Sequence, residues 1–283
     1  MLLPRRETER IRILRIRNGT GAREDDVVTV EEPLEIRVTR FGERGPETHS
    51  VSVTMRTPGD DFDLAVGFLF TEGLVRERKE IQKVSYCSGD EPQEYNLVEV
   101  RLAPGASFDP GTLSRNFYMT SSCGICGKAT LDAVEVQGCV RLEPGGMEVP
   151  GEVLRSIPEV LQDAQPVFDR TGGIHAAGLF TPEGDLKEVR EDVGRHNAVD
   201  KLLGNAFLGR RTPLDDRIMA VSGRASFELL QKALMARIPM VVAVGAPSSL
   251  AVDLARRFKM TLVGFTGRQG YNVYAGEERV GSP

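Results

Sequence analysis

The second half of the chain alternates short apolar runs with amphipathic stretches. The apolar runs at 217–221, 239–244 and 260–265 predict buried strands, and the stretches at 226–236 and 250–258 carry apolar residues at the spacing of a helix face. A strand–helix–strand–helix–strand order is typical of parallel strands that are joined by crossover helices. The pattern therefore predicts an α/β core built on a parallel sheet.

Shorter elements precede this core. An apolar run at 173–180 predicts a strand, a turn at 182–185 leads into a second strand at 186–190, and a helical pattern follows at 197–203. Glycine directly after a helical pattern is typical of a C-cap, so we expect this helix to end at Gly204.

The first part of the chain predicts a mixture of strands and helix. Residues 34–39 and 50–55 alternate apolar and polar positions around a glycine-rich turn, which is a hairpin signal. Asp60 can cap a helix that stops at Gly73. A strand at 94–102 and a loop at 104–111 follow.

Composition and charge narrow the class of protein. The 283 residues carry a net charge of −5, which gives no general attraction to nucleic acid or to a membrane surface. Six arginines occur within residues 5–17, but acidic residues interrupt them, and we interpret this run as a solvated strand.

No apolar stretch could span a bilayer and no signal peptide is recognisable, so we expect a cytoplasmic protein. Four cysteines do not make a disulfide scaffold, and Cys87 and Cys139 are interpreted as packing residues.

Cys123 and Cys126 form a CxxC motif with a glycine after each thiol. Glycine adopts many backbone conformations, so the motif predicts an exposed, bendable loop. A helix predicted at 129–136 would begin just after Cys126, and its N-terminus and Lys128 both favour the thiolate. The motif therefore indicates a sulfur-handling or metal-handling site.

Four interpretations of the CxxC motif remain open. A structural zinc site needs four ligands, and His175 and His196 could complete the set. A thioredoxin-like site fits poorly, because a loop precedes the motif and serines flank it. A purely structural loop is the third interpretation, although exposed free thiols are usually functional. In the fourth, a thiolate attacks a sulfur donor, holds the sulfur as a persulfide and passes it on.

Two other segments carry candidate chemistry. A glycine pair precedes the strand that contains His175, which suggests close approach of a ligand, although a hydrogen-bonded core histidine is an equally good interpretation. Residues 191–197 combine two acids, an arginine, a histidine and an amide around a glycine at a helix start. This mixture favours a functional site over a solvated charged face.

The loops at 222–226 and 246–249 each follow an apolar strand and open a helix. Ligands of parallel sheets bind beyond the carboxyl ends of the strands, and helix N-termini bind phosphate. Ordinary N-capping explains each loop alone, but two such loops on adjacent strands favour an anionic ligand. The loop at 265–270 follows the next strand and could add an aromatic face, a cation and backbone donors. The candidate ligand-binding residues are Ser222, Gly223, Arg224, Ser248, Ser249, Phe265, Thr266, Gly267, Arg268, Gln269 and Gly270, together with His175, Arg195 and His196; no metal ligand is assigned.

The motifs resemble those of one known family, the formate dehydrogenase accessory sulfurtransferases of the FdhD family. The matching segments are 56–60 (RTPGD), 67–69 (GFL), 72–74 (EGL), 122–127 (SCGICG), 172–177 (GGIHAA), 191–198 (EDVGRHNA), 200–201 (DK), 222–224 (SGR), 246–251 (APSSLA) and 261–265 (TLVGF). They span most of the chain and are highly specific together.

The resemblance implies a sulfurtransferase that accepts sulfur from a cysteine desulfurase and passes it to the molybdenum of bis(molybdopterin guanine dinucleotide), which formate dehydrogenase requires. The family's persulfide cysteine maps to Cys123, with Cys126 beside it, and its cofactor-binding segment maps to 265–270. A guanine nucleotide such as GDP is then the expected stand-in for the cofactor. The resemblance also implies a homodimer and a cytidine-deaminase-like, three-layer α/β core with a mixed or parallel sheet and a smaller N-terminal α+β part.

These expectations divide the chain into an N-terminal α+β part at 1–112, a mobile CxxC loop at 113–129 and the α/β domain at 130–283. Two alternatives remain. A zinc deaminase needs His-x-Glu and a later Pro-Cys-x-x-Cys, but Ala177 replaces the glutamate and the CxxC motif comes before His175. A non-catalytic molybdenum-cofactor chaperone would keep the anion site without needing Cys123.

Overall fold

The structure is a computed structural model that describes residues 6–42, 45–87, 95–108, 139–143 and 146–281. The CxxC motif, the helix predicted at 129–136 and the predicted domain boundaries all lie outside these residues. A mixture of helices and strands in mixed sheets is observed, so the α/β class is confirmed. No helix in the described part of the chain is long and apolar enough to cross a membrane.

The described residues of the N-terminal part form a separate two-stranded hairpin, a four-stranded sheet of order β4-β3-β6-β5 and one α-helix. Strands β3 and β4 form the predicted hairpin, and β6 confirms the strand predicted after it. The elements are β1 (Thr8–Arg17), β2 (Thr20–Thr29), β3 (Glu32–Gly42), β4 (Gly45–Arg56), α1 (Asp61–Thr71), a 3₁₀ turn (Arg78–Glu80), β5 (Ile81–Tyr86) and β6 (Leu97–Leu102).

The remainder of the chain forms a six-stranded sheet of order β12-β11-β10-β9-β7-β8. Strands β9, β10 and β11 are parallel, as the strand–helix alternation predicts, and β7, β8 and β12 run antiparallel to their neighbours. The elements are α2 (Gly151–Asp163), α3 (Pro166–Thr171), β7 (His175–Phe180), β8 (Leu186–Asp192), α4 (Arg195–Leu208), β9 (Ile218–Val221), α5 (Phe227–Met235), β10 (Met240–Ala243), α6 (Ser249–Phe258), β11 (Thr261–Gly267), β12 (Gly270–Ala275) and a 3₁₀ turn (Glu277–Arg279).

Helices cover both faces of the six-stranded sheet. Helix α2 packs through Leu154, Ile157 and Leu161 against one face. Apolar residues of α4, α5 and α6 cover the other face, and their cluster continues into α1 and the four-stranded sheet. One continuous hydrophobic core therefore connects the N-terminal part to the α/β part.

Two predictions about helix ends differ from the structure: the Asp60 side chain does not cap α1, and Gly204 does not end α4. Asp60 stands at the N-cap position of α1, but it has a left-handed backbone with φ 53° and its carboxylate makes no capping hydrogen bond. Instead, the carboxylate lies 3.3 Å from Arg190 Nε on β8. The prediction that Gly204 ends α4 is wrong, because the helix runs on to Leu208. This glycine is a helix contact: a Cβ there would overlap the carbonyl oxygen of Asp63 on α1.

Four arginines of the run near the N-terminus, from Arg10 to Arg17, lie on β1. Arg15 and Arg12 pair across the hairpin with Asp26 and Asp25, at 3.2 Å and 3.7 Å. The interpretation as a solvated, charged strand is confirmed, since these side chains are half-buried to exposed.

Candidate functional site

One edge of the six-stranded sheet brings together the candidate residues that the structure describes. The loops after β9, β10 and β11 leave from the carboxyl ends of three parallel neighbours, and β7 begins and β8 ends at the same edge. The Gly245 amide donates to the Gly223 carbonyl at 3.0 Å, and the Phe265 amide donates to the Gly245 carbonyl at 3.2 Å. The loops after β9 and β10 therefore lie beside Phe265. The prediction of a loop over 265–270 is wrong, because β11 runs to Gly267 and β12 begins at Gly270, so the segment is a strand end and a tight hairpin turn.

The serine hydroxyls of these loops are used in different ways. Ser222 Oγ accepts from the Ala176 amide at 2.9 Å, which ties the end of β9 to β7. Ser248 Oγ accepts from the Ala251 amide at 3.3 Å, so it is an ordinary N-cap of α6. Ser226 makes no capping bond to α5, and its Oγ lies 3.5 Å from His196 Nε2. Arg224 and Ser249 are exposed at the open side of the loops.

Phe265 is the most unusual residue at this edge. Its side chain is 55% exposed, and its backbone has a left-handed φ of 51°. A positive φ is an outlier for a bulky residue, and such strain is concentrated at functional sites. The surrounding surface, formed by residues 265 and 267–272, encloses about 650 Å³. An exposed aromatic ring held in this way can stack on a planar ligand.

Two neighbours of Phe265 differ in what they can offer to a ligand. Arg268 already pairs with Glu159 on α2, so its charge is shared. The pair is exposed, and such pairs are weak enough to exchange for another anion. Thr266 is 4% exposed, and its Oγ1 has no hydrogen-bond partner among the described residues.

A cavity of about 450 Å³ opens at the same edge, on the side of α2. Apolar residues and the backbone around Gly172 and Gly173 form much of its wall, and His175, Ser222 and Gln165 contribute polar groups. Gln165 is 3% exposed, and its Oε1 has no hydrogen-bond partner within the described ranges. A buried acceptor without a partner costs free energy, so it marks a place for a donor from a ligand or from water.

His175 is half-buried at the wall of this cavity and lies next to the backbone of Gly223. Burial lowers its pKa, and the positive charge of Arg195 lowers it further, against a smaller opposing effect from Asp192. The imidazole is therefore neutral at physiological pH and can accept a proton.

The acidic residues of segment 191–197 hold the backbone in place. Glu191 accepts from the amides of Val167 and Phe168 at 3.0 Å and 2.9 Å, which caps α3. Asp192 is fully buried and lies 2.8 Å from Lys201 Nζ. The interpretation of the whole segment as a site is therefore too broad, because these two carboxylates are engaged within the protein.

The basic residues of the same segment remain at the site. Arg195 has an Nε that is buried without a partner among the described residues. His196 is partly exposed, and its Nε2 lies 3.9 Å from Glu228 at the start of α5. The nearby His196 imidazole is the main cause that lowers the pKa of Glu228 to about 2.

Sequence reasoning missed some of the cavity wall. Gln165 and Phe168 come from the junction of α2 and α3, and Val244 follows β10; Val193, which also lines the cavity, belongs to the segment 191–198 that the sequence had indicated. Gln165, Phe168 and Val244 lie in no sequence motif. Gln165 alone among them has a distinguishing feature, a buried side-chain oxygen without a hydrogen-bond partner in the described part of the chain. Within the described ranges, no group of three or more His, Cys, Asp or Glu side chains could hold a metal ion; Cys123 and Cys126 lie outside those ranges.

Comparison with known proteins places the chain in a family. The family model described as FdhD/NarQ matches residues 29–281. The chain is 52% identical to the sulfur carrier protein FdhD of Streptomyces avermitilis, with 97% of this chain and 96% of the relative covered. It is 49% identical to the sulfur carrier protein FdhD of Mycobacterium tuberculosis, with 90% and 92% covered.

A solved structure agrees with the sequence comparisons. The fold is similar to the crystal structure of a protein described as a formate dehydrogenase accessory protein from Desulfotalea psychrophila. The TM-score is 0.75 at 25% identity, and 97% of this chain and 100% of that chain are covered. The resemblance that the motifs indicated is confirmed, and the chain belongs to the FdhD/NarQ family.

Proposed function

We propose that this protein is a sulfurtransferase that carries sulfur as a persulfide on Cys123. It takes the sulfur from a cysteine desulfurase and delivers it to the molybdenum of bis(molybdopterin guanine dinucleotide), the acceptor that formate dehydrogenase needs. The names of the relatives support a sulfur carrier, and the CxxC motif supplies the thiols. We further propose a cytoplasmic homodimer whose α/β part is cytidine-deaminase-like.

The observation that carries the proposal is the set of adjacent loops at one edge of the sheet. A guanine ring can stack on the exposed Phe265, and phosphates can bind to the backbone and to Arg224. The neighbouring cavity of about 450 Å³ has room for the pterin part of a large cofactor. This arrangement favours a nucleotide-containing acceptor over a small free sulfur acceptor.

The chemistry needs a thiolate and a way to move one sulfur atom. The Cys123 thiolate attacks the terminal sulfur of the donor's persulfide, and the donor cysteine leaves as a thiolate, so electrons balance in this exchange. The terminal sulfur then leaves Cys123 as a neutral sulfur atom, Cys123 returns to the thiolate, and the acceptor supplies the two electrons that bring the transferred sulfur to the sulfide level. Neutral His175 can take the thiol proton, while Arg195 and His196 stabilise negative charge on sulfur.

Mass spectrometry of the intact protein and of its peptides tests the persulfide. Incubation with a cysteine desulfurase and cysteine should add the mass of one sulfur to the peptide that contains Cys123. Cys123→Ala should abolish this increment, and Cys126→Ala is the matched control. If Cys126→Ala removes the increment and Cys123→Ala does not, the assignment is wrong. A Cys123→Ala variant that still supports formate dehydrogenase maturation would favour the chaperone alternative.

Hydrogen exchange tests the nucleotide site separately. GDP should slow exchange at 222–224, 246–249 and 265–270, since backbone amides in these loops would bind phosphate. Protection confined to the N-terminal sheet would contradict the proposal.

A further inference from the structure

A second large concave surface lies away from the site already described. It encloses about 410 Å³ beyond the carboxyl ends of α1, α4 and α5, and four of its lining residues are arginines: Arg76, Arg78, Arg210 and Arg237. We call this surface the arginine cleft. The sequence pattern did not indicate it, because its parts come from three separate regions of the chain.

The floor of the arginine cleft is apolar. Phe70 and Phe207 stack there with ring centroids 4.6 Å apart, and Met235 lies beside them. Both phenylalanines are at least 95% buried, so the floor belongs to the rigid core. Phe, Met and Arg are the side chains enriched in protein–protein contacts, where an apolar centre is surrounded by polar groups.

The charge of the arginine cleft is opposite to that of the whole chain. Its lining contains four arginines and one carboxylate, Glu77; Asp215 beside Arg237 and Glu80 beside the Arg76 amide reduce this excess but leave it positive, whereas the chain has a net charge of −5. Two guanidinium groups are held in position: Arg237 Nε lies 2.7 Å from Asp215, and Arg78 Nη1 donates to the Ile81 carbonyl at 2.8 Å. The local excess of positive charge therefore selects an acidic ligand.

Charge compensation at helix ends explains part of this arrangement. Arg210 and Arg237 follow α4 and α5 with left-handed φ values of 55° and 61°, where a cation interacts favourably with the helix dipole. Compensation of the helix dipoles does not require an open cavity with an aromatic floor, so it does not explain the whole arrangement. Helix carboxyl ends also present carbonyls and no free amides, so they disfavour a small phosphate ion. Long guanidinium groups around an apolar floor suit carboxylates on a peptide that also carries an apolar side chain.

The position of the arginine cleft separates it from the candidate cofactor loops. His196 lies in the first turn of α4, and Arg210 follows the far end of this 14-residue helix. A helix of that length spans about 21 Å, so a protein could dock at the cleft without covering the loops. Cys139, which is 13 positions after Cys126, has its Sγ 3.2 Å from Met235 Sδ at the cleft wall. The chain that follows the CxxC motif thus reaches the described structure at this cleft.

We propose that the arginine cleft docks a carboxylate-rich segment of the protein that donates sulfur. This inference rests on the proposed function, and it assigns the donor and the cofactor to opposite ends of the helical layer. Docking here leaves the loops after β9, β10 and β11 open to the acceptor while Cys123 is loaded.

The test compares two kinds of sulfur donor on the full chain. A double variant, Arg76→Glu with Arg210→Glu, should lower the rate of persulfide formation by a cysteine desulfurase at least tenfold. Loading by glutathione persulfide, which needs no protein contact, should be unchanged. The control, Arg10→Glu with Arg17→Glu, makes the same charge change on the exposed strand β1 and should load normally with both donors. Added salt should slow protein-dependent loading of the wild type and barely affect the double variant.

Each other outcome overturns a defined part of the argument. Normal loading of the double variant by the desulfurase would exclude the arginine cleft as the docking surface. Equal loss of loading with both donors, or a loss in the β1 control, would show a general effect of charge or folding. The double variant Arg76→Gln with Arg210→Gln then repeats the comparison without charge reversal. Equal loss of loading with both donors in that variant also rejects docking. Inhibition by inorganic phosphate as strong as that by a glutamate-rich peptide would indicate a simple anion site. Failure of the wild type to load from either donor would instead contradict the proposed function.

Discussion

Gly67 on α1 and Gly204 on α4 lie where the two helices cross, and neither position has room for a side chain. A Cβ on Gly67 would overlap the carbonyl oxygen of Asp200, and a Cβ on Gly204 would overlap that of Asp63. Backbone therefore packs on backbone at this crossing. The contact joins the N-terminal part to the helix that begins at the candidate site, so it positions Arg195 and His196.

Gly204→Ala should destabilise the protein, although alanine normally stabilises a helix by about 1 kcal/mol relative to glycine. The expected loss is about 2 kcal/mol or more in the free energy of unfolding, because the helices must separate to admit the methyl group. Urea denaturation at constant protein concentration measures it.

Gly267→Ala is the matched control, since no atom lies within 4 Å of the place that its methyl group would take and its φ is not left-handed. Its free energy of unfolding should stay within about 0.5 kcal/mol of the wild type. A stabilised Gly204→Ala variant would show that the helices cross at a greater distance than described.

Asp200→Asn should cost about 3 kcal/mol of stability. Lys232 Nζ lies 2.9 Å and 3.0 Å from the two Asp200 oxygens and donates to Thr71 Oγ1 at 2.9 Å, so the pair connects α1, α4 and α5. Both side chains are less than 10% exposed, and without the Asp200 charge the buried Lys232 keeps the partly exposed Glu72, 3.3 Å away, as a weaker carboxylate partner. Thermal and urea unfolding provide the measurement.

The exposed pair between Lys187 and Asp185 is the control for this cost. Asp185→Asn should change stability by less than about 1 kcal/mol, because solvent screens that pair. A double variant, Asp200→Leu with Lys232→Met, should be more stable than Asp200→Asn; if it is not, the lower stability comes from packing and not from removal of the Asp200 charge.

Phe265→Gly should separate ligand binding from stability. Glycine relieves the left-handed φ, so the free energy of unfolding should stay equal or rise by about 1 kcal/mol. Loss of the ring should weaken GDP binding about tenfold, which matches a stacking contribution of about 1–3 kcal/mol per base. Calorimetry of GDP binding and urea unfolding test the two effects, and unchanged affinity would remove Phe265 from the site.

Glu228→Gln should lower stability at neutral pH by about 1 kcal/mol at most, since nearly half of the side chain is exposed. The pKa of Glu228 is lowered to about 2 in the folded protein from an ordinary value of 4.5. Its contribution is therefore complete above pH 4.5 and is lost as the pH falls toward 2. The difference from the wild type should be full at pH 6 and smaller at pH 3.5.

Glu183→Gln on an exposed turn serves as the control for this pH series. A difference between Glu228→Gln and the wild type that is constant from pH 6 to 3.5 would mean that the carboxylate charge plays no part.

The elements between residues 173 and 265 could be predicted from sequence because their signals are local, whereas α2, α3 and β12 were not predicted. Apolar runs such as 217–221 and 239–244 identify buried strands, and serine at the start of 248–258 marks a helix terminus that the structure confirms. Parallel pairing then places the following loops at one edge of the sheet, as expected. The motif resemblance to the FdhD family also came from sequence alone.

Helix ends and the roles of charged residues could not be predicted in this way. Gly204 looks like a C-cap in sequence, but the partner that requires it is Asp63, more than 100 residues earlier. Glu191 and Asp192 look like active-site acids, but amides of α3 and Lys201 engage them. A sequence pattern records residue types and spacing, and it does not record which distant groups satisfy a charge.

The sequence by itself therefore determined the strand and helix order between residues 173 and 265, the family and the CxxC thiols that define the proposed chemistry. The tertiary structure alone decided that Gln165 and His175 face one cavity and that four arginines from three separate regions of the chain surround another. The physical reason is range: periodicity reflects burial of neighbouring residues along an element, whereas a binding surface depends on side chains brought together across the chain by packing.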